Sequence, residues 1–291
     1  MTDEVLAALE VKKGEVVVDG TAGAGGHSEA LAHAAKIKLI SLDADPDAVA
    51  AVQKRLGKKG AVINANFGDL LAVAEKTGIT FIDKALFDLG WNRGQLTAGR
   101  GFSFMYDEPL SMSYGPKARS GFTAAEMLNT FTEKALADIF FGYGEERYAR
   151  RIAKVIVERR EEKPLATTLE LVELIKDSVP AAYRRGRLHP ATRSFQGLRI
   201  AVNDELGALE QGIEAAWKLL APGGRIAVIT FHSIEDRAVK RLFAKFAKGG
   251  GGEKGRLLYK KPLVASAAEI KRNPPSRSAK LRAIEKICPQ E

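Results

Sequence analysis

The chain has 291 residues, of which 45% are hydrophobic and 28% charged, a balance that supports a sizeable core and excludes a fibrous or wholly disordered chain. Its 45 Lys and Arg outnumber its 36 Asp and Glu, and the net charge of +9 favours a polyanionic partner, most simply nucleic acid. One cysteine, Cys288, allows neither an intrachain disulfide framework nor a cysteine zinc site, and there is no signal-peptide pattern and no apolar run long enough to span a membrane, so a cytoplasmic setting is expected.

Taken in order, the patterns alternate between strand and helix. Residues 3–12 read as a short helix. Val16-Val17-Val18-Asp19 is a β-branched run that stops at an acid. The glycine-rich stretch Gly20-Thr21-Ala22-Gly23-Ala24-Gly25-Gly26-His27-Ser28 follows, and a helical pattern runs on from it. A second strand over 38–43 ends at Asp43. Asp45 and Pro46 then suit the N-cap and first turn of a helix. A third strand over 61–66 ends at Asn66, a helix covers 69–76, and a fourth strand over 84–89 contains Asp88. This alternation predicts a parallel α/β sheet whose ligands sit at the carboxyl ends of the strands. Asp19, Asp43, Asn66 and Asp88 fall at those four ends.

From 105 to 195 the apolar positions recur at helical spacing, and the stretch carries Arg147, Arg150, Arg151, Arg159, Arg160, Arg184, Arg185, Arg187 and Arg193. An inserted helical domain is predicted there. A long helix over 194–220, a turn at Pro222-Gly223-Gly224 and a strand over 225–230 return to the sheet. Phe231-His232-Ser233 leads into a basic helix, and ten Lys or Arg lie between 254 and 286. The expected division is 1–104 and 196–291 for the sheet domain, with a basic tail, and 105–195 for the insertion.

Two cofactor classes use a glycine turn after the first strand. A dinucleotide site wants G-x-G-x-x-G/A and an acid about 20 residues further on. Here Gly23-x-Gly25 is followed by Ser28 at the third position, although Asp43 stands at the right distance. S-adenosylmethionine has no phosphate. Its loop needs close backbone approach, an acid after strand two for the ribose hydroxyls, and a polar group after strand four near the transferred methyl. Asp19, Gly23, Gly25, Gly26, Asp43 and Asp88 fit this second layout better.

Longer strings carry a more specific likeness. Asp19 to Ser28, Leu42-Asp43-Ala44-Asp45-Pro46-Asp47-Ala48, Arg100-Gly101-Phe102-Ser103-Phe104 and Gly144-Glu145-Glu146-Arg147-Tyr148-Ala149 resemble, in order, motifs of the bacterial 16S rRNA cytosine-N4 methyltransferases, the MraW or RsmH family. His189 to Leu206, Pro222 to Arg237 and Asn273 to Arg282 continue the match, so the likeness covers nearly the whole chain. It implies a class I S-adenosylmethionine-dependent methyltransferase, a Rossmann-like α/β sheet with an inserted helical domain. The implied reaction is methylation of the exocyclic N4 of a cytidine in the decoding region of 16S rRNA within the small ribosomal subunit. The implied cofactor contacts are Gly25, Gly26, His27, Asp43, Phe67, Asp88 and Gln95. The chain sets no oligomeric state by itself, and a homodimer stands among the expected arrangements. No spacing calls for a metal.

Two departures from the family pattern stand out. Where the family reads Asp-Leu-Gly-Val-Ser-Ser-Pro-Gln, this chain has Asp88-Leu89-Gly90-Trp91-Asn92-Arg93-Gly94-Gln95, so base placement is open to change. The family's short N-terminal segment with a His and a Pro-Val pair has no counterpart here, which allows either a thinner cover over the cofactor or merely a shorter start. The residues expected at the chemistry are Asp88, Trp91, Asn92 and His232. Asp88 orients the amine or the cofactor. Trp91 offers a stacking face or packs in the core, and Asn92 reads the base edge or is a plain loop residue. His232 contacts RNA, assists proton removal, or caps the helix after it.

Overall fold

A computed structural model describes residues 1–90, 93–96, 99–250 and 252–287. Trp91 and Asn92, two of the expected site residues, and Cys288 lie outside the described residues. The chain forms two compact units, one of Met1–Gly90 with Leu206–Glu291 and one of Trp91–Glu205.

The first unit opens with α1 (Thr2–Leu9), β1 (Val16–Asp19), α2 (Gly26–Ala34), β2 (Lys38–Asp43), α3 (Pro46–Leu56), β3 (Gly60–Asn64), α4 (Leu70–Thr77) and β4 (Ile82–Asp88). Local chemistry sets several of these bounds. The Asp45 side chain accepts the Asp47 N–H at 3.1 Å and Pro46 fills the first turn, which starts α3. Gly78, at φ 68°, closes α4 with its N–H on the last carbonyls. The third strand stops at Asn64, two residues short of the expected Asn66. Asn66 instead caps a 3₁₀ turn over Phe67–Asp69, its carbonyl oxygen accepting the Gly68 N–H at 2.8 Å. An Asx turn competes with strand pairing, and here it wins.

The second unit is helical: α5 (Arg93–Leu96), α6 (Ala124–Thr130), α7 (Glu133–Gly142), α8 (Ala149–Glu162), α9 (Thr168–Ser178), α10 (Ala181–Arg184) and α11 (Thr192–Asn203). Thr123 and Glu126 form a reciprocal capping box at α6, and Thr167 and Glu170 form one at α9. Leu128, Leu136, Phe140, Ile152, Ile156, Leu171, Ile175 and Leu198 pack its core. The unit brackets the 105–195 stretch on both sides for a packing reason. Phe102, Leu110 and Met112 from the irregular stretch before α6 are buried in the helical core, and so is Val202 near the end of α11.

The chain returns to the first unit with α12 (Glu205–Leu219), β5 (Leu220–Thr230), α13 (Ser233–Ala247), β6 (Gly255–Leu257), β7 (Leu263–Val264), α14 (Ala267–Arg272) and β8 (Lys280–Lys286). The single helix expected over 194–220 is two, because Asp204 adopts a left-handed backbone at φ 45° that ends α11. Residues 254–286, read from sequence as a basic tail, hold three strands and α14. Within β8 the charges alternate with buried Leu281 and Ala283, and Lys280 and Arg282 both reach Asp236.

The sheet runs β3-β2-β1-β4-β5-β8-β6, with β7 also pairing β8. It is parallel from β3 through β5, and β8 lies antiparallel to β5. The chain leaves β1 toward β2 and β3, then returns to lay β4 on the other side of β1. The switch point therefore lies between β1 and β4, where ligands collect in open α/β sheets. No helix among the described residues is long and apolar enough to cross a membrane.

Candidate active site

The glycine turn between β1 and α2 is stitched to both neighbouring strands. Gly20 N–H donates to the Leu86 carbonyl at 2.8 Å, and Ala22 N–H donates to the Leu42 carbonyl at 2.8 Å. Thr21 Oγ1 accepts the Asp88 N–H at 2.6 Å. Gly25, at φ 81°, is the N-cap of α2, and a Cβ there would lie 3.2 Å from both Arg55 and Val52 side-chain carbons. Only glycine holds that conformation without strain. Gly26 meets nothing within 4 Å of a would-be Cβ, so the turn is open at that point.

Three acids at the strand ends organise this turn. Asp19 is fully buried; it accepts the Thr21 N–H at 3.2 Å and the Ser28 hydroxyl at 2.6 Å, and Ser28 Oγ lies 2.8 Å from Ser41 Oγ. This network ties β1, β2 and the start of α2 together. Burial pushes the Asp19 carboxyl above the ordinary range, against the pull of the Ser28 bond. Asp43 accepts the Gly23 N–H at 2.7 Å and the Asp45 N–H at 2.9 Å. Burial raises it too, and these backbone donors only partly offset the effect. Each Asp43 oxygen keeps a second lone pair for a ligand hydroxyl.

Asp88 at the end of β4 is partly exposed, and one of its oxygens lies 3.4 Å from His27 Nε2. Burial works against a charged imidazole at His27, but the Asp88 carboxylate, helped by Asp19, overrides it and holds the ring above its usual range. The other atoms of the pair, His27 Nδ1 and Asp88 Oδ1, are buried and have no partner among the described residues. Two orphaned polar atoms on one pair, at the switch point, call for a ligand that supplies polar groups to both.

The remaining expected residues are placed as follows. Phe67 follows β3 and meets the Phe87 ring edge-on at 5.6 Å. It is wedged against two glycines. A Cβ at Gly212 would lie 2.6 Å from Phe67 Cδ2, and one at Gly20 would lie 3.2 Å from Phe67 Cβ. Gln95 is buried on α5 in the second unit. His232 caps α13: its Nδ1 accepts the Glu235 N–H at 3.4 Å, while a Glu235 oxygen accepts the Phe231 N–H at 2.8 Å. The first unit thus brings Asp19, Gly25, Gly26, His27, Asp43 and Asp88 to the ends of three adjacent strands. Ser41 and Gly212 were not singled out from sequence. Ser41 carried a signal, as a polar residue inside an otherwise apolar strand. Gly212 carried none, because its partner lies far away in the chain.

A model of the MraW methylase family matches residues 1–287. The chain belongs to the MraW methylase family. Curated relatives agree. The ribosomal RNA small subunit methyltransferase H of Heliobacterium modesticaldum is 46% identical over 303 residues, covering 98% of this chain and 96% of its own length. That of Geobacter sp. strain M21 is 45% identical over 305 residues, covering 99% and 97%. That of Carboxydothermus hydrogenoformans is 46% identical over 303 residues, covering 99% and 96%.

The resemblance read from the motifs is therefore borne out, as is the Rossmann-like methyltransferase fold. A MraW methylase uses S-adenosylmethionine, and the residues present fit that cofactor. The turn opens at Gly26, Asp43 has lone pairs to spare, and the orphaned His27 Nδ1 and Asp88 Oδ1 atoms offer polar contacts. No phosphate-binding cation lies within the turn 20–26, which suits a cofactor without phosphate.

Proposed function

We propose that this methyltransferase modifies the exocyclic N4 of a cytidine in the decoding region of 16S rRNA, acting in the cytoplasm on the small ribosomal subunit. The observation that carries the reading is the His27–Asp88 pair, with one buried atom on each residue that has no partner among the described residues, beside the open glycine turn. The family's rRNA-methylating relatives and the net charge of +9 support an RNA substrate.

A cytosine amine is a poor nucleophile because its lone pair is delocalised into the ring. When bound, S-adenosylmethionine supplies an electrophilic sulfonium methyl. The protein's part is to place the amine and to shape its charge. Asp88 accepts a hydrogen bond from the amine, which concentrates electron density on nitrogen and stabilises the positive charge that develops there. His27, leaning on the other Asp88 oxygen, fixes the plane of that carboxylate. Asp43 takes the ribose hydroxyls, and Gly25 and Gly26 admit the cofactor close to the backbone. Asp19 acts one step back, because its Ser28 and Thr21 bonds set the turn. Trp91 and Asn92, two of the residues expected at the chemistry, belong to the segment that departs from the family pattern and lie outside the described residues. His232 acts as the cap of α13.

The test is labelled-methyl transfer onto small subunits from a strain lacking the enzyme, with mass mapping of the modified nucleotide. Label at cytidine N4 of 16S rRNA is expected. Label on another nucleotide moves the target, as the changed 91–94 segment would allow. No label, with cofactor binding intact, defeats the reading.

A further inference from the structure

Within the second unit, one cluster is more elaborate than a helical core requires. Glu146 is fully buried, accepting the Tyr148 N–H at 2.8 Å and the Tyr183 hydroxyl at 2.6 Å. The two tyrosine rings meet edge to face at 5.0 Å. The guanidinium of Arg147 lies over both, 4.6 Å from the Tyr183 ring centre and 5.1 Å from that of Tyr148. Glu145 holds a left-handed backbone at φ 51° just before it, so the turn itself aims Arg147 outward. A buried acid thus positions two rings, and the rings pre-set one exposed arginine.

Two more observations extend this. Arg150 and Arg151 stand exposed in the first turn of α8, which has no acid there. A helix N-terminus disfavours cations, so local energetics do not explain them. Arg184, Arg185 and Arg187 are exposed on a short arm held at both ends. At one end Tyr183 is in the cluster, and Gly186 N–H turns back to the Tyr183 carbonyl at 3.0 Å. At the other, His189 stacks flat on Phe104, with ring centres 4.6 Å apart and 3° between planes. None of these six arginines pairs with a carboxylate among the described residues, whereas Arg159, further along α8, pairs with Glu162.

We propose that Arg147, Arg150, Arg151, Arg184, Arg185 and Arg187 form one binding face for the sugar-phosphate backbone of the substrate RNA, with Arg147 as its pre-set anchor. This rests on the RNA reading above and names the surface that serves it. All six cations are arginine. The planar fork matches phosphate oxygens in pairs, whereas a lipid surface would be served as well by lysine. Pre-setting Arg147 lowers the ordering cost of each encounter. Such contacts fix affinity and register and leave base choice to the pocket.

The experiment compares the full chain with the triple variant Arg184→Ala/Arg185→Ala/Arg187→Ala. It measures affinity for an RNA fragment of the small-subunit decoding region across a salt series. Each lost phosphate contact reduces the steepness of log K against log salt by about 0.7 for single strands and about 0.9 for duplex, so the triple variant should lose about 2–3 units of slope and at least tenfold in affinity. S-adenosylmethionine affinity should not move. Arg147→Lys keeps the charge but loses the stacked, pre-set fork; it should weaken binding several-fold with the slope nearly unchanged. A triple variant with wild-type slope and affinity overturns the face while leaving the proposed reaction standing. A wild type that binds cofactor but no RNA defeats the reaction itself. A triple variant that keeps RNA affinity but loses binding to phosphatidylserine vesicles assigns the face to lipid and overturns the proposal.

Discussion

Gly212→Ala tests how the first unit positions Phe67. Gly212 sits in α12, and a Cβ there would lie 2.6 Å from Phe67 Cδ2 and 2.9 Å from the Phe67 carbonyl oxygen. The ring can turn a little, but the carbonyl is backbone and cannot. Overpacking of this kind costs about 1–3 kcal/mol. Replacing a helical glycine by alanine returns about 0.5–1 kcal/mol. The midpoints of these ranges give an expected net loss of about 1 kcal/mol. In a chain of this size each kcal/mol lowers Tm by roughly 2–4 °C. Because the displaced residue is an expected cofactor contact, S-adenosylmethionine affinity should fall as well. Gly142→Ala is the matched control, since a Cβ there meets nothing within 4 Å. Thermal unfolding reads the stability and calorimetry reads the affinity. A Gly212→Ala protein as stable as the parent, with unchanged affinity, would refute the wedge.

Other outcomes follow from residues already described. Asp88→Ala should abolish methyl transfer while the protein stays folded; retained transfer would remove Asp88 from the mechanism. His27 is held above its usual range, so the stability it contributes with Asp88 is full below about pH 6.5 and is lost as pH rises through its folded-state value. Urea unfolding between pH 6 and 9 should show this decline in the parent and a flatter profile in His27→Gln; equal profiles would dismiss the pair. Asn203 is buried, donates to the Met112 carbonyl at 2.7 Å and accepts the Tyr114 N–H at 2.9 Å. Met112 holds φ 56°, a left-handed backbone that needs such support. Asn203→Ala should cost about 2–4 kcal/mol, because two backbone groups lose their partner, and should speed proteolysis near 112. A loss below about 1 kcal/mol would show that other contacts carry that turn.

Much of the first unit could be read from the residues because its signals are local. The acids Asp19, Asp43 and Asp88 close apolar runs, and glycines follow the first of them. His232 shows its capping role only against Glu235, three residues on, which is still local. The features that escaped depend on distance or competition. Asn66 looked like a strand end until its side chain took the Gly68 N–H. The break at Asp204 was hidden because both flanking segments are good helices. Strand β8 was masked by its charges, whose partner Asp236 lies on α13. The Glu146–Tyr183 bond spans 37 residues, and nothing in either neighbourhood announces it.

The place of β8 has a consequence for the order in which the protein is made. β5 is bonded to β8 along six residue pairs, from Arg225–Glu285 to Thr230–Lys280. Until residues 280–286 have been synthesised, β5 is an open edge with its backbone groups bare and its apolar face ready to recruit another strand. The half of the sheet that carries His232 is then the last to close. A nascent chain interrupted in its final tenth would hold a complete glycine turn and a complete helical unit, yet remain prone to aggregation and easy for proteases to take.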